Sequence, residues 1–369
     1  MFSLENCPNV KAFEAFFKCE RHILLHSNIM VSISGGADSD VMLDLIVRVA
    51  KDENISLDKF HFVFFNTGIE YSATLEHLDF LEKKYGIKIE RYRAITPVPA
   101  GCKKFGQPFL SKAVSENIDR LQKHNFKWED KPCLDLLQEY CEEISEESAF
   151  DKNGKLKKGI SKKIYGKYWK GCVTSILWWC NEKEQKTNGS TSSFNINYNS
   201  YLKEFIIANP PTFKISQKCC QGAKKDNAHK LLDELNADLN VIGVRKAEGG
   251  VRATAYKSCF DEGDYKHSYD NYRPIFWFSD QDKIEYCAFY GIEHSDCYTK
   301  YGLKRTGCVG CPFGKDFEKE LETAKQFEPK LYNAVCNIFK ESYEYTRAYY
   351  EFKKQQKNKG KPQQLNLFE

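Results

Sequence analysis

Ser34-Gly35-Gly36-Ala37-Asp38-Ser39 puts two hydroxyls, two glycines and a carboxylate into six consecutive positions. Two glycines let a backbone turn tightly and approach a ligand without Cβ interference. The hydroxyls of Ser34 and Ser39 are donors for phosphate oxygens, and a helix starting there adds free N–H groups and a positive dipole end. No Gly-Lys-Ser/Thr follows, so this is not a Walker A loop. The second group is basic: Arg245, Lys246 and Arg252 follow the strand-like run Val241-Ile242-Gly243-Val244. Arginine forks match phosphate or sulfate oxygens, a lysine adds a point charge, and both neutralise charge that develops at a reacting group. The third group is thiols, Cys219-Cys220 and, far along the chain, Cys308-X-X-Cys311. A Cys-X-X-Cys alone serves zinc, redox chemistry or nothing. Adjacent cysteines strain a single tetrahedral zinc, whereas a cuboidal iron–sulfur cluster presents separate irons to neighbouring thiolates, and zinc stays open as the alternative.

These groups need a frame. Ile29 to Ile33 reads as a short buried strand, and Val41, Leu45, Ile46 and Val49 line one face of a following helix. Phe62 to Phe65 and Ile87 to Tyr92 read as further strands, with a helix from Tyr71 to Tyr85 between them. Strand–helix–strand at this spacing predicts an α/β fold, a doubly wound and mostly parallel sheet covered on both faces. Residues 1–120 form the first half of the nucleotide-binding domain and 210–315 its second half with the cysteines. Between them lies a lysine-rich helical insertion, residues 121–209. A helical hairpin at 316–352 and a polar tail at 353–369 close the chain.

Composition narrows the class. Apolar residues make up 41% and charged residues 29%, as in ordinary soluble domains, and a net charge of +4 implies no large basic face. No run reaches the ~18 apolar residues of a membrane helix. The start, Met1 to Cys7, lacks a basic region followed by an apolar stretch, so a cytoplasmic location is expected. Fifteen cysteines, an odd number, argue against a disulfide framework. Several, such as Cys180 beside Trp178-Trp179, read as core packers.

Ser34 to Ser39 resembles the PP-loop of the adenine-nucleotide α-hydrolase-like superfamily, and other stretches are similar to its phosphoadenosine-phosphosulfate (PAPS) reductase family. Phe64 to Glu70 looks like the segment after the reductases' second strand, which implies that Asn66, Thr67 and Gly68 lie near the nucleotide. Gly106-Gln107-Pro108-Phe109-Leu110-Ser111-Lys112 is similar to their Gly-X-Pro-X-X-Ser-Lys stretch, which adds Lys112. Gly243 to Arg252 resembles their basic segment, and Arg273 to Asp282 agrees with a further pattern. The likeness covers 29–112 and 212–315. It implies ATP, adenylyl sulfate or PAPS as nucleotide, with magnesium accompanying ATP. The activity implied is either reduction by an oxidoreductase or adenylation and sulfur transfer by a transferase, with an electron- or sulfur-donor protein as partner. Adenylyl-sulfate reductases carry the Cys-Cys and Cys-X-X-Cys arrangement around a [4Fe–4S] cluster, which implies Cys219, Cys220, Cys308 and Cys311 as ligands. Relatives outside sulfate assimilation place a cysteine near Cys259, the alternative to Cys219. The reductases' nucleophilic tail cysteine has no counterpart, since none follows Cys336.

The insertion is similar to members found with DNA phosphorothioation and mobile-element systems. Lys152, Lys155, Lys157, Lys158, Lys162, Lys163, Lys167 and Lys170 interleave with Tyr165, Tyr168 and Trp169. That mixture suits either a nucleic-acid contact over 152–170 or a solvated loop. Gln364-Leu365-Asn366-Leu367-Phe368 looks like a sliding-clamp-binding peptide. The alternative function is therefore a nucleic-acid-associated protein that uses nucleotide and cluster as structural or sensing elements.

Overall fold

The structure is a computed structural model and describes residues 4–249, 255–263 and 268–359. Eight strands occur among these residues: β1 (Ile29–Ser32), β2 (Phe60–Asn66), β3 (Ile89–Arg93), β4 (Cys141–Ile144), β5 (Tyr168–Gly171), β6 (Leu239–Ile242), β7 (Phe260–Asp261) and β8 (Asp270–Tyr272). Six build one sheet in the order β3-β2-β1-β6-β8-β7. The first five of these run parallel, and only β7 pairs antiparallel, with β8. The α/β expectation therefore holds.

Ile29, Met30 and Val31 are all buried, as a central strand covered on both faces requires. Helices Val10–Leu25 and Ala37–Asp52 pack on one face, and their apolar side chains meet Ile29, Val31, Phe62 and Val241. Helix Asp226–Leu235 covers the other face, where Leu231 and Leu232 meet Met30 and Val63. The chain runs from β1 outward through β2 to β3, then returns to place β6 on the free side of β1. The loops after β1 and β6 thus flank the point where strand order reverses, where open α/β sheets form a ligand crevice.

The chain divides into two units. One holds the described residues of Met1–Ala100, Cys220–Cys311 and Glu318–Val335, and contains the six-stranded sheet. The other holds those of Gly101–Cys219, Pro312–Phe317 and Cys336–Glu369. It has its own core, in which Phe109, Ile118, Leu136, Trp169, Trp179 and Phe205 are fully or almost fully buried, and the two-stranded β4–β5 ribbon. The second unit thus begins at Gly101 rather than at residue 121. The closing hairpin is also resolved differently, as three helices: Phe317–Phe327, Pro329–Ile338 and Lys340–Lys359. Proline at the first position of the middle one starts a new helix, because its missing N–H is unbonded there in any case. Among the described residues no helix is long and apolar enough to cross a membrane.

Candidate functional site

The loop Ser34–Ser39 joins β1 to helix Ala37–Asp52. Gly35 has φ +65°, and a Cβ there would lie 2.8 Å from Thr74 Cγ2. The loop's donors are arranged inward: Ser34 N–H donates to Ser39 Oγ (3.0 Å), Gly36 N–H to Ser34 Oγ (3.3 Å) and Ala37 N–H to the Tyr298 hydroxyl (3.0 Å). Tyr298 thus supplies an oxygen at the helix N-terminus, the position that favours an anion. Burial raises the Tyr298 pKa, so the hydroxyl stays protonated at neutral pH.

Beside this loop lies a cavity of about 500 Å³, whose wall includes Ser34, Glu70, Lys224, Asn240, Arg273 and Thr306. Arg273 is almost completely buried; its guanidinium pairs with Asp261 (2.7 Å) and stacks on Tyr256 at 3.9 Å from the ring centroid. Asn240 donates from Nδ2 to Asn271 Oδ1 (2.9 Å). Arg273 Nε and Asn240 Oδ1 are buried with no hydrogen-bond partner. Both residues belong to the cavity wall, and an unpaired buried polar atom costs about 1–3 kcal/mol, which fits a wall that shifts to take up a polar ligand. Sequence reasoning passed over Asn240 and noted Arg273 only within a pattern. Their signal was faint, as an Asn inside an apolar strand and an Arg before a proline.

The basic segment is arranged otherwise than its composition suggests. Arg245 is 4% exposed and pairs with Asp38 (2.9 Å) and Asp280 (2.9 Å). Desolvation works against its charge, but the two carboxylates outweigh it and raise its pKa. Lys283 Nζ also reaches Asp38 (2.9 Å). Arg245 and Asp38 therefore clamp the loop after β6 to the PP-loop helix, while Lys246 reaches outward over Trp277, 5.1 Å from the ring centroid. Gly243 makes this approach close: a Cβ there would meet Asp38 O at 3.2 Å and Ser39 Cα at 3.2 Å. Arg252 lies outside the described residues.

After β2, Asn66 Oδ1 accepts from Gly68 N–H (2.8 Å), and Gly68 takes φ +89°. Thr67 is fully buried; its hydroxyl donates to Glu70 (2.6 Å) and lies 3.5 Å from Cys308 Sγ. This turn thus positions a carboxylate and a thiol. Desolvation works against the Lys224 charge, but Cys308, Glu70, Cys220 and Cys311 together outweigh it and raise its pKa. Burial raises the Cys308 pKa, with Lys224 acting in the opposite sense. Three of the four thiols read as ligands therefore share one lysine, although no three metal-ligating side chains converge to binding distance among the described residues. Cys219 is buried and belongs by its contacts to the second unit. Cys259 precedes β7, and its carbonyl accepts from Arg273 N–H (2.8 Å). Its edge strand is four strand spacings from β2, about 19 Å.

Lys112 opens helix Lys112–Lys123 in the second unit and is exposed, while Ser111 caps that helix by accepting from Val114 N–H (3.2 Å). The stretch around them builds the second unit: Gly106 (φ +111°) lies so close to Lys214 that a Cβ would sit 2.3 Å from its carbonyl oxygen. All eight lysines of 152–170 are exposed. Trp169, however, is a core residue, and Lys167 and Lys170 pair with Glu143 (2.7 Å) and Glu142 (3.6 Å). Its ring is thus withdrawn from stacking on a partner. Gln364–Phe368 lie outside the described residues.

Comparison with known proteins agrees with the loop. The phosphoadenosine phosphosulfate reductase domain family matches residues 28–131. An uncharacterised protein of Methanocaldococcus jannaschii is 31% identical over 121 residues, 32% of this chain, and the chain spans only about a fifth (21%) of that protein's length. Among solved structures, the phosphoadenylyl-sulfate reductase of Candida auris aligns at 10% identity and TM-score 0.38, over 80% of this chain and 87% of that one. The U34-tRNA thiolase NcsA of Methanococcus maripaludis, solved with its [4Fe–4S] cluster, aligns at 11% and TM-score 0.35, over 94% and 83%. The stretch that matches the phosphoadenosine phosphosulfate reductase domain family, residues 28–131, is the one that carries the Ser-Gly-Gly-Ala-Asp-Ser loop and the turn after β2.

Proposed function

We propose that the chain is an enzyme that binds an adenine nucleotide, ATP or a sulfonucleotide, in the cavity beside Ser34–Ser39 and performs sulfur transfer or reduction there. The observation that carries this reading is the cavity beside a loop of the PP type, whose wall carries Lys224, Asn240 and Arg273. In the proposed complex the phosphates lie against the loop, with the hydroxyls of Ser34 and Ser39, which accept from loop N–H groups, donating to phosphate oxygens. The Ala37 N–H exchanges the Tyr298 hydroxyl for a phosphate oxygen, which draws Tyr298 out of the loop. Asn240 Oδ1 accepts from an amino group such as that of adenine. Arg273 and Lys224 neutralise negative charge on the sulfate or phosphate, and Arg273, buried and paired with Asp261, needs no reorganisation as charge develops. Arg245 holds Asp38 and so the loop. Cys220, Cys308 and Cys311 are the residues that would hold a [4Fe–4S] cluster, whose chemistry is to pass electrons or bind sulfur. Lys224 suits such a group, because it offsets thiolate charge.

The test is calorimetric binding of Mg-ATP, adenylyl sulfate and PAPS to anaerobically purified protein. A preference beyond tenfold, about 1.4 kcal/mol, assigns the substrate. Preference for a sulfonucleotide makes the chain a reductase whose attacking thiol comes from elsewhere than a tail. Preference for ATP makes it an activating enzyme. Binding of none of the three sinks the reading. The exposed lysines of 152–170 favour a nucleic acid as acceptor or partner, and for that role binding should weaken steeply as salt rises.

A further inference from the structure

The second unit contains two thiol pairs in a regular arrangement. Helices Cys133–Tyr140 and Val173–Trp179 pack together. One is bracketed by Cys133 and Cys141, the other by Cys172 and Cys180, and each bracket spans eight positions. The helices run antiparallel, so their ends meet in pairs. Cys141 Sγ lies 3.9 Å from Cys172 Sγ at the foot of the β4–β5 ribbon, where Cys141 stands opposite Gly171. At the other end Cys133 and Cys180 interact through their thiols. Each pair joins one buried thiol, Cys172 or Cys133, to one half-buried thiol, Cys141 or Cys180.

Bland readings fit less well. Eight helical residues rise about 12 Å, whereas ligands of one zinc lie within about 2.3 Å of the metal, so the four thiols cannot share an ion. Simple packing would not set two pairs in thiol contact at both ends of one helix pair, each with a member open to solvent.

We propose that Cys141–Cys172 and Cys133–Cys180 are two thiol–disulfide exchange sites, which take a low-molecular-weight disulfide as oxidant and reversibly bolt the two helices together at both ends. The half-buried thiol meets the oxidant. Its sulfur attacks, the oxidant's S–S bond breaks, and a mixed disulfide forms as one thiolate leaves. The buried partner then attacks the protein sulfur of that mixed disulfide and expels the second thiolate. One intramolecular S–S bond replaces the oxidant's, two electrons leave the protein, and its two thiol protons pass to the departing thiolates. The thiol contact lowers the Cys172 pKa to about 7 against the opposing effect of burial and raises that of Cys141, so the buried sulfur is the readily deprotonated one and takes the proton of Cys141 as that sulfur attacks.

The experiment takes the full chain through a series of glutathione disulfide to glutathione ratios, quenches with acid and alkylates the remaining thiols. Peptides are then mapped without reduction. The expected result is two linked peptides, 141–172 and 133–180, that appear together with rising oxidant and vanish on return to reductant. Cys141→Ser should abolish the first link and leave the second, with an unchanged far-ultraviolet circular dichroism spectrum. If that variant fails to fold, the wild-type map alone still decides. Four thiols that stay alkylatable at the most oxidising ratio would overturn the proposal. So would links joining Cys133 to Cys141, or a stoichiometric zinc whose removal is needed before the four thiols react.

Discussion

At the residue scale, Asp40 shows how a charge is kept inside this molecule. It is fully buried and accepts from His77 Nε2 (3.0 Å) and His294 Nδ1 (2.8 Å), and His294 Nε2 lies 3.5 Å from Cys287 Sγ. Burial opposes the His294 imidazolium, but its bonds to Asp40 and Cys287 outweigh that and raise its pKa to about 9. A raised histidine contributes stability that is complete below its unfolded value of about 6.5 and is lost as pH climbs through the folded one, because the native state binds the extra proton. Unfolding free energy should therefore fall by on the order of 2 kcal/mol, after allowance for solvent screening, between pH 6.5 and 9.5. His294→Gln should flatten that slope in urea titrations; an unchanged slope would assign it to other groups. A second prediction contrasts two cations. Arg273→Met should weaken nucleotide binding at least tenfold by calorimetry, whereas Lys246→Ala should change it less than threefold, since Lys246 reaches toward Trp277. Equal losses would return the leading role to the segment after β6. At this scale the sequence was partly readable. Ser34 to Ser39 announced themselves, because six adjacent residues make the loop. Asp40 and Asp44 carried no such signal: both are buried, with partners such as His294 and Tyr286 that only the fold brings near.

At the scale of elements, the approach of the β6 loop to the PP-loop depends on one missing side chain. Gly243→Ala would press a Cβ against backbone atoms of Asp38 and Ser39 that a rotamer change cannot move. The expected cost is about 1–3 kcal/mol in unfolding free energy, accompanied by weaker nucleotide binding. Full binding in that variant would mean that the loop tolerates the shift. The same argument makes Gly106→Ala a strongly destabilising change of the second unit, because φ is positive there and the Lys214 carbonyl blocks the space. Central strands were legible because Ile29 to Val31 and Phe62 to Phe65 are continuous apolar runs. The strands β7 and β8, of two and three residues, are too short to show any period. The final helices merged into one hairpin in the sequence, since apolar spacing continues across Pro329 and only the proline marks the break.

At the scale of the whole chain, two hydrophobic cores serve two units. The boundary at 100/101 was invisible in sequence, because Val114, Ile118 and Leu121 form an ordinary amphipathic face that does not say which core it enters. Four of the five tryptophans, Trp128, Trp169, Trp178 and Trp179, belong to the second unit. Tryptophan emission should therefore follow that unit: Ile176→Ala should shift the fluorescence midpoint in urea, by a loss of about 2–5 kcal/mol, and Leu45→Ala should act mainly on the circular dichroism transition. Identical shifts in both signals for both variants would show that the cores melt as one. The edges of the large sheet bear on a different matter, what the molecule does when crowded. One edge, β3, carries Glu90, Arg91 and Arg93 among its five residues; the other, β7, is two residues long and runs against its neighbour. Neither offers the long, flat, apolar template on which a second sheet could grow, so concentrated stocks should resist fibrillar aggregation even though β1 and β2 within the sheet are largely apolar.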